Sequence, residues 1–318
     1  MIDIIALGEL LIDFASVDTD EGGYPIMVAH PGGAPGNFLA SASAYGLNTA
    51  FIGKVGDDTF GKMLIDTMRQ AGVETRGIVK SSNVFTTLAF VTIDHTGDRS
   101  FNFVRKPGAD TCLTYEEVDK SLIDQAKALH FGTLSLTDEP AKTATKKAVA
   151  YARERGKLIT FDPNLRISLW KNSYEAREQL LWGLGQADIV KISDEEVEFL
   201  FDCNEATGAN KLLNEYAAKL VMVTLGPRGC YLKNRLGEVY ERCPPVKVLD
   251  TTGAGDIFGG SAMSRILKLR KKPENIGKNE LVKVAKFACT AASLSTEVSG
   301  GIPSIPSEEK VIYTMDGL

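Results

Sequence analysis

Short β-rich runs alternate with helical stretches along most of this chain, and that alternation limits the fold more than any other feature. "IIALGELLIDF", "TAFIGKVG", "KALHFGTLSL", "LITFDPN", "DIVKIS" and "LVMVTLG" read as buried strands, and 36–47, 58–71, 140–155 and 174–186 as helices. The pattern is that of a mostly parallel sheet with helices on its faces, a doubly wound α/β domain. Two segments break it. Residues 22–32, "GGYPIMVAHPG", and 84–105, "VFTTLAFVTIDHTGDRSFNFVR", are strand-like, the second as a hairpin around His95-Thr96-Gly97-Asp98. They are expected to form one small antiparallel sheet projecting from the main body.

Composition narrows the function classes. With 44% hydrophobic and 24% charged residues in 318, the chain has enough core for one large domain with a small accessory. Thirty-six basic against 41 acidic residues give a net charge of −5, and the one dense basic run, "KLRKK" at 268–272, reads as a solvated helix end. Nucleic acid is therefore not an expected partner. Five cysteines, an odd number without C-x-x-C spacing, argue against a zinc site or disulfide framework and fit a reducing cytoplasm. The apolar start "MIDIIALGELLIDFA" carries Asp3, Glu9 and Asp13 and reads as a buried strand, not a signal peptide, and no run reaches membrane-spanning length.

The glycine clusters carry the chemistry. "DTTGAGDIFGG", Asp250 to Gly260, lies between the apolar "PPVKVLD" and a helical pattern through Ile257, Phe258, Ala262, Ile266 and Leu267, so it reads as a strand-to-helix junction. Helix-terminal N–H groups lack internal partners, and Gly-Ala-Gly lets an anion approach them, with Asp256 beside it in the first turn. Alone, the motif could equally be a tight turn ending in a capping acid. A dinucleotide fingerprint does not fit, since Gly253-Ala254-Gly255-Asp256-Ile257-Phe258-Gly259 has one residue too many. Gly56 to Lys62 imitates a P-loop, but Met63 offers no hydroxyl and Asp57 and Asp58 would repel phosphate. A second cluster, "PGGAPGNFLASASAYG", places Gly32, Gly33 and Gly36 before a helix expected to open at Asn37.

Together these pieces resemble the ribokinase-like family of sugar kinases, closest to its fructokinase branch. "PGGAPGN" with "FIGKVGDDTFG" is similar to the family's N-terminal signature and "DTTGAGDIFGG" to its C-terminal one; "FDPNLRISLW", "KISDEEVEFL" and "VTLGPRG" lie between them in the family's order. The resemblance runs from about Asp3 to Pro306. It implies a Rossmann-like α/β domain (1–13, 33–83 and 107–318) and a β-sheet lid (14–32 and 84–106).

It also implies roles. Asp256 would be the base that deprotonates the attacking sugar hydroxyl, and Gly253, Ala254 and Gly255 would present N–H groups to the transferring phosphoryl, with Arg166 on the phosphates. Asp13, at the end of the first strand, would hold sugar hydroxyls with Gly32, Gly33 and Asn37, and Arg105 could meet an acidic sugar. Asn164, Lys191, Thr224, Gly226 and Arg228 fall on the nucleotide side. Glu196 would help hold Mg²⁺ through water, and Asp250 and Thr252 a monovalent cation such as K⁺. Ala34 stands where ribokinases carry a lysine, which weakens ribose as substrate. His30, His95 and His130 receive no chemical role. The expected activity is ATP-dependent phosphorylation of a free sugar, D-fructose first, with 2-keto-3-deoxygluconate and (aminoimidazole) ribosides as alternatives. A non-catalytic sugar- or protein-binding relative is the alternative from another class. Alternating apolar residues in the lid, Leu88, Phe90, Val91, Phe101 and Phe103, would leave one face exposed, so a homodimer through the lids is expected.

Overall fold

The structure, a computed structural model, describes residues 1–93 and 99–317. The chain opens with β1 (Ile2–Leu7), leaves through β2 (Leu11–Thr19) and β3 (Pro25–Gly32), and returns by α1 (Ala34–Ala44), β4 (Thr49–Gly56), α2 (Thr59–Gln70) and β5 (Val73–Ser81). After β6 (Thr87–Ile93) and β7 (Arg99–Val104) come α3 (Lys120–Gln125), β8 (Ala126–Gly132), α4 (Ala141–Glu154), β9 (Leu158–Asp162), α5 (Ser173–Gln186) and β10 (Ile189–Ser193). Then follow α6 (Asp194–Phe201), α7 (Glu205–Glu215), β11 (Leu220–Thr224), β12 (Cys230–Asn234), β13 (Glu238–Glu241), α8 (Ala254–Lys268), α9 (Lys278–Ser295) and α10 (Glu308–Asp316).

Nine strands form the main sheet in the order β13-β12-β11-β10-β9-β8-β1-β4-β5. All neighbours from β11 to β5 are parallel; β12 and β13 run antiparallel at one edge. Successive residues of a strand point to opposite faces, so Ile5 and Leu7 of β1 enter the core beneath α4 and α5, while Ile4 and Ala6 enter the one shared with α1, α8 and α9. The strand order reverses between β1 and β8, and a crevice opens there at the carboxyl ends of the parallel strands.

The lid is a four-stranded sheet, β3-β2-β6-β7. Three differences from the sequence reading matter. The run "IIALGELLIDF" is two strands: the chain breaks at Gly8-Glu9-Leu10 and β2 belongs to the lid, so Asp13 is a lid residue and not the end of the first strand. Because β2 pairs with β6 in parallel, the lid sheet is mixed and not wholly antiparallel. Leu88 and Phe90 are not on an open face either: Leu88 packs on the core, and Phe90 stacks on Phe14 (5.2 Å between centroids), which meets Phe60 of α2 edge-on. The hairpin turn at 95–98 lies outside the described residues, as does the Phe101 side chain.

One expected strand is absent and one helix boundary moved. "PPVKVLD" is not a strand; it is irregular, with Val248 and Leu249 exposed, and among the described residues its backbone ties are from the Leu249 and Asp250 N–H groups to the Thr296 carbonyl. Helix α1 opens at Ala34, three residues before Asn37, because Gly33 takes φ 110° and Pro35 follows in the first turn. The P-loop look-alike is a capped helix start: Asp58 accepts N–H groups from Gly61 and Thr86, each at 2.8 Å.

Candidate active site

Helix α8 starts in the crevice. Gly253 takes a left-handed conformation (φ 76°) as its N-cap, and a Cβ there would lie 2.9 Å from the Gly301 Cα, so the turn admits little but glycine. The first N–H groups of α8 have no carbonyl within the helix and carry its positive dipole end. Asp256 sits in that first turn, 9% exposed, its Oδ2 accepting a hydrogen bond from Asn37 Nδ2 at 2.9 Å. Asn37 is thus no N-cap; it is the side chain by which α1 holds the carboxylate of α8.

Two cavities meet at this helix end, sharing Thr251 and Gly255. The smaller, about 300 Å³, is polar and bounded by Glu9, Asp13, Asn37, Arg166, Lys191 and Asp256. The larger, about 690 Å³, is mostly apolar, with Thr224, Gly226, Val246, Phe258 and Ala292 in its walls. The arrangement suits a polar ligand on one side of the N–H groups and a flat, largely apolar one on the other.

The small cavity is rich in carboxyl groups. Burial raises the Asp256 pKa, against the pull of Lys191, the Asn37 hydrogen bond and Arg166. Burial likewise pushes Asp13 up to about 7; Arg166 favours its anion, while Asp256 and Asp250 oppose it. Lys191 is buried and its Nζ lies 3.0 Å from Asp162. Burial works against its ammonium, but Asp162, Glu196 and Asp256 outweigh that and hold it charged. Arg166 donates to Asn164 Oδ1 at 2.9 Å, and Asn164 adopts φ 44° to stand there.

Several expected site residues are not brought to these cavities. Arg105 is buried elsewhere, donating to Asp110, Thr137 and the Leu134 carbonyl, so an ion-pair network occupies the group expected to meet an acidic sugar. Glu196 closes a capping box on α6: its two oxygens accept the Leu165 and Ser193 N–H groups at 2.7 and 2.9 Å. Arg228 pairs with Asp194 on the surface, outside the cavity that Thr224 and Gly226 line. Gly32 packs under Asp13, where a Cβ would meet the carboxylate. Asp250 ties the loop before α8 to Gly300: burial disfavours its anion, but N–H groups of Gly300 and Thr252 hold it well below the usual carboxylate range. Thr252 lines the small cavity.

Two residues escaped the sequence reading. Asp162 is the last residue of β9 and Glu9 comes two residues after β1, and an acid at the carboxyl end of a buried parallel strand was the available signal. His130 has no catalytic geometry: it stacks on Phe38 (3.8 Å) and shares a 2.6 Å hydrogen bond with Thr160, and burial pushes its pKa down to about 3.

Residues 1–308 match the family described as pfkB family carbohydrate kinase. Among curated proteins, fructokinase-1 of Zea mays is 42% identical, the alignment spanning 98% of this chain and 97% of the relative. Among solved structures, fructokinase from Xylella fastidiosa with bound ATP superposes with a TM-score of 0.91 at 28% identity, over 99% of this chain and 98% of that one. A double mutant of fructokinase from Vibrio cholerae O395, in its fructose-, ADP- and potassium-bound form, gives 0.88 at 27% identity, over 99% and 98%. A glycine-capped helix end between a polar and an apolar cavity, matched by near full-length likeness, leads to one conclusion: the chain belongs to the pfkB family of carbohydrate kinases.

Proposed function

We propose that the protein phosphorylates D-fructose with ATP to give fructose 6-phosphate, and that the observation carrying this reading is Asp256, held by Asn37 at the N-terminus of α8. In this reading the adenine side of ATP occupies the apolar cavity and the sugar the polar one. The sugar hydroxyl loses its proton to Asp256 as it attacks the γ-phosphorus, the bond to the β-γ bridging oxygen breaks, and ADP leaves. Phosphoryl transfer needs positioning and charge stabilisation, which the Gly253-Ala254-Gly255 N–H groups would supply with Lys191 and Arg166, whose side chains line the polar cavity. Asp13 and Asn37 suit a polyol as acceptor and donor. The occupied Arg105 favours a neutral sugar over 2-keto-3-deoxygluconate.

Mg²⁺ would supply charge neutralisation on the phosphates. No cluster of three metal-ligating side chains occurs among the described residues, so phosphate and water oxygens would hold most of the ion. The loop tied by Asp250, with Thr252, is our candidate for a monovalent cation, as the potassium-bound relative suggests. The five unpaired thiols fit a reducing, ATP-rich cytoplasm, and no helix among the described residues is long and apolar enough to cross a membrane. The exposed lid face is our candidate for a homodimer contact.

A coupled ADP-release screen over fructose, glucose, ribose, ketodeoxygluconate and nucleosides tests the substrate. A tenfold higher kcat/KM for the acid than for fructose, roughly 1.4 kcal/mol in the wrong direction, would overturn the assignment. Asp256→Asn tests the base: turnover is expected to fall by about 10²–10⁴-fold while calorimetric ATP binding persists. A near-normal kcat in that variant removes Asp256 from the chemistry.

A further inference from the structure

Glu9 is not used by the mechanism above. It follows Gly8 where the chain turns out of the main sheet into the lid, and it is 2% exposed. Oε1 accepts the Ala34 N–H at 3.1 Å, at the start of α1. Oε2 is buried with no hydrogen-bond partner among the described residues, and the side chain lines the polar cavity with Asp13, Asn37 and Asp256. One oxygen suffices to tie Ala34. A second, left unsatisfied in a buried place, costs stability unless an occupant of the cavity meets it. We propose that Glu9 is a specificity-determining residue whose second carboxyl oxygen hydrogen-bonds a hydroxyl of the bound sugar; this rests on the carbohydrate-kinase reading.

The charged groups around Glu9 fix the direction of that bond. Burial, the largest influence, pushes its carboxyl up to about 8; its own backbone N–H and then Arg105, just after β7, favour the anion, while Asp110 and Asp256 oppose it. At neutral pH the group is therefore a carboxylic acid, and the protonated oxygen donates. Asp13, once ionised, can only accept, so the two together would address a hydroxyl array from both sides. Keeping Glu9 neutral also spares Asp256 another negative neighbour.

The test compares Glu9→Gln and Glu9→Ala with the unaltered protein from pH 6.5 to 9.5, measuring sugar and ATP KM, kcat, calorimetric fructose binding and melting temperature. Glu9→Ala should raise sugar KM about 10–100-fold at pH 7 and leave ATP KM unmoved. Glu9→Gln keeps a donor that does not titrate, so it should lose much less. Above pH 8 the unaltered protein's sugar KM should climb while that of Glu9→Gln stays level. Asp13 titrates in both and cancels in the comparison. Unchanged sugar KM in a folded Glu9→Ala, or one pH profile shared by the unaltered protein and Glu9→Gln, overturns the proposal. Should Glu9→Ala fail to fold, the Glu9→Gln profile decides alone. If the unaltered protein ignores fructose but phosphorylates another sugar of the panel, the fructose assignment fails, and the Glu9 comparison is made with that sugar.

Discussion

At the scale of single residues, the site depends on how buried charges are balanced. Lys191 and Asp162 form a pair almost fully shielded from water, and Asp162 Oδ1 has no hydrogen-bond partner among the described residues. Removing only the cation strands the acid, so Lys191→Met should destabilise the fold by about 3–5 kcal/mol. The sign of its pH dependence follows from Asp162, whose carboxyl is pushed up by burial and pulled back by Lys191. In acid the stranded group is neutral and the deficit small; as pH rises it must ionise or stay protonated at growing cost, and the deficit widens. Adding Asp162→Asn should recover most of the stability in urea unfolding but not kcat, since the charge near Gly255 is still missing. Recovered turnover in the double variant would make Lys191 purely structural. Such balances are hard to read from sequence. "GAGD" was legible because glycines and an acid at a helix start have few uses. The Arg105 network was hidden because its partner Asp110 looks like any loop acid, and Glu9 was passed over because an acid just past a buried strand was read only as a charge in an apolar run.

At the scale of elements, the sequence alternation gave the parallel sheet and its helices, since period and length alone separate a buried strand from an amphipathic helix. It was blind where an apolar run serves two sheets: "IIALGELLIDF" carries no breaker other than Gly8, and only the lid pairing of β2 shows the split. "PPVKVLD" misled in the opposite way, being apolar yet unpaired because α9 ends beside it and offers only the Thr296 carbonyl. Helix α6 makes the same point for function. "SDEE" is an N-terminal capping box, and Ser193 and Glu196 satisfy each other's backbone N–H groups. If that is the work of Glu196, Glu196→Gln should lower stability by about 1 kcal/mol, because an amide cannot accept at both ends, and leave the Mg²⁺ concentration for half-maximal rate unchanged. A tenfold rise in that concentration would return Glu196 to the metal.

At the scale of the whole molecule, the lid face that borders the polar cavity extends beyond it. Strand register puts Asp13, His30, Ala89 and Phe103 side by side near the cavity, and the same face continues outward through Ala15, Val28 and Val91 to Ile26, which pairs with Asp18 beyond a β-bulge that holds Val17. The inner residues border the polar cavity or are largely shielded, whereas Val17, Val28 and Ile26 are 57, 40 and 45% exposed. On the opposite face Phe14 and Phe90 pack toward Phe60 of α2, which covers that part of the sheet and leaves Val104 beyond it exposed. Apolar side chains continuing a ligand-binding face into water call for a cover, and a second copy of the lid, apolar in the same places, would supply it with two-fold symmetry. Light scattering at micromolar concentration should then report a dimer, and Val17→Asp with Val28→Asp should convert it to a monomer, since each change would bury an unpaired charge. Because these positions lie on the strands that carry Asp13 and pair with it, loss of the partner should also loosen the cavity wall and raise sugar KM more than ATP KM. A wild-type monomer would sink the assembly outright. A dimer indifferent to both charges would move the contact to another surface and leave the exposed lid face unexplained.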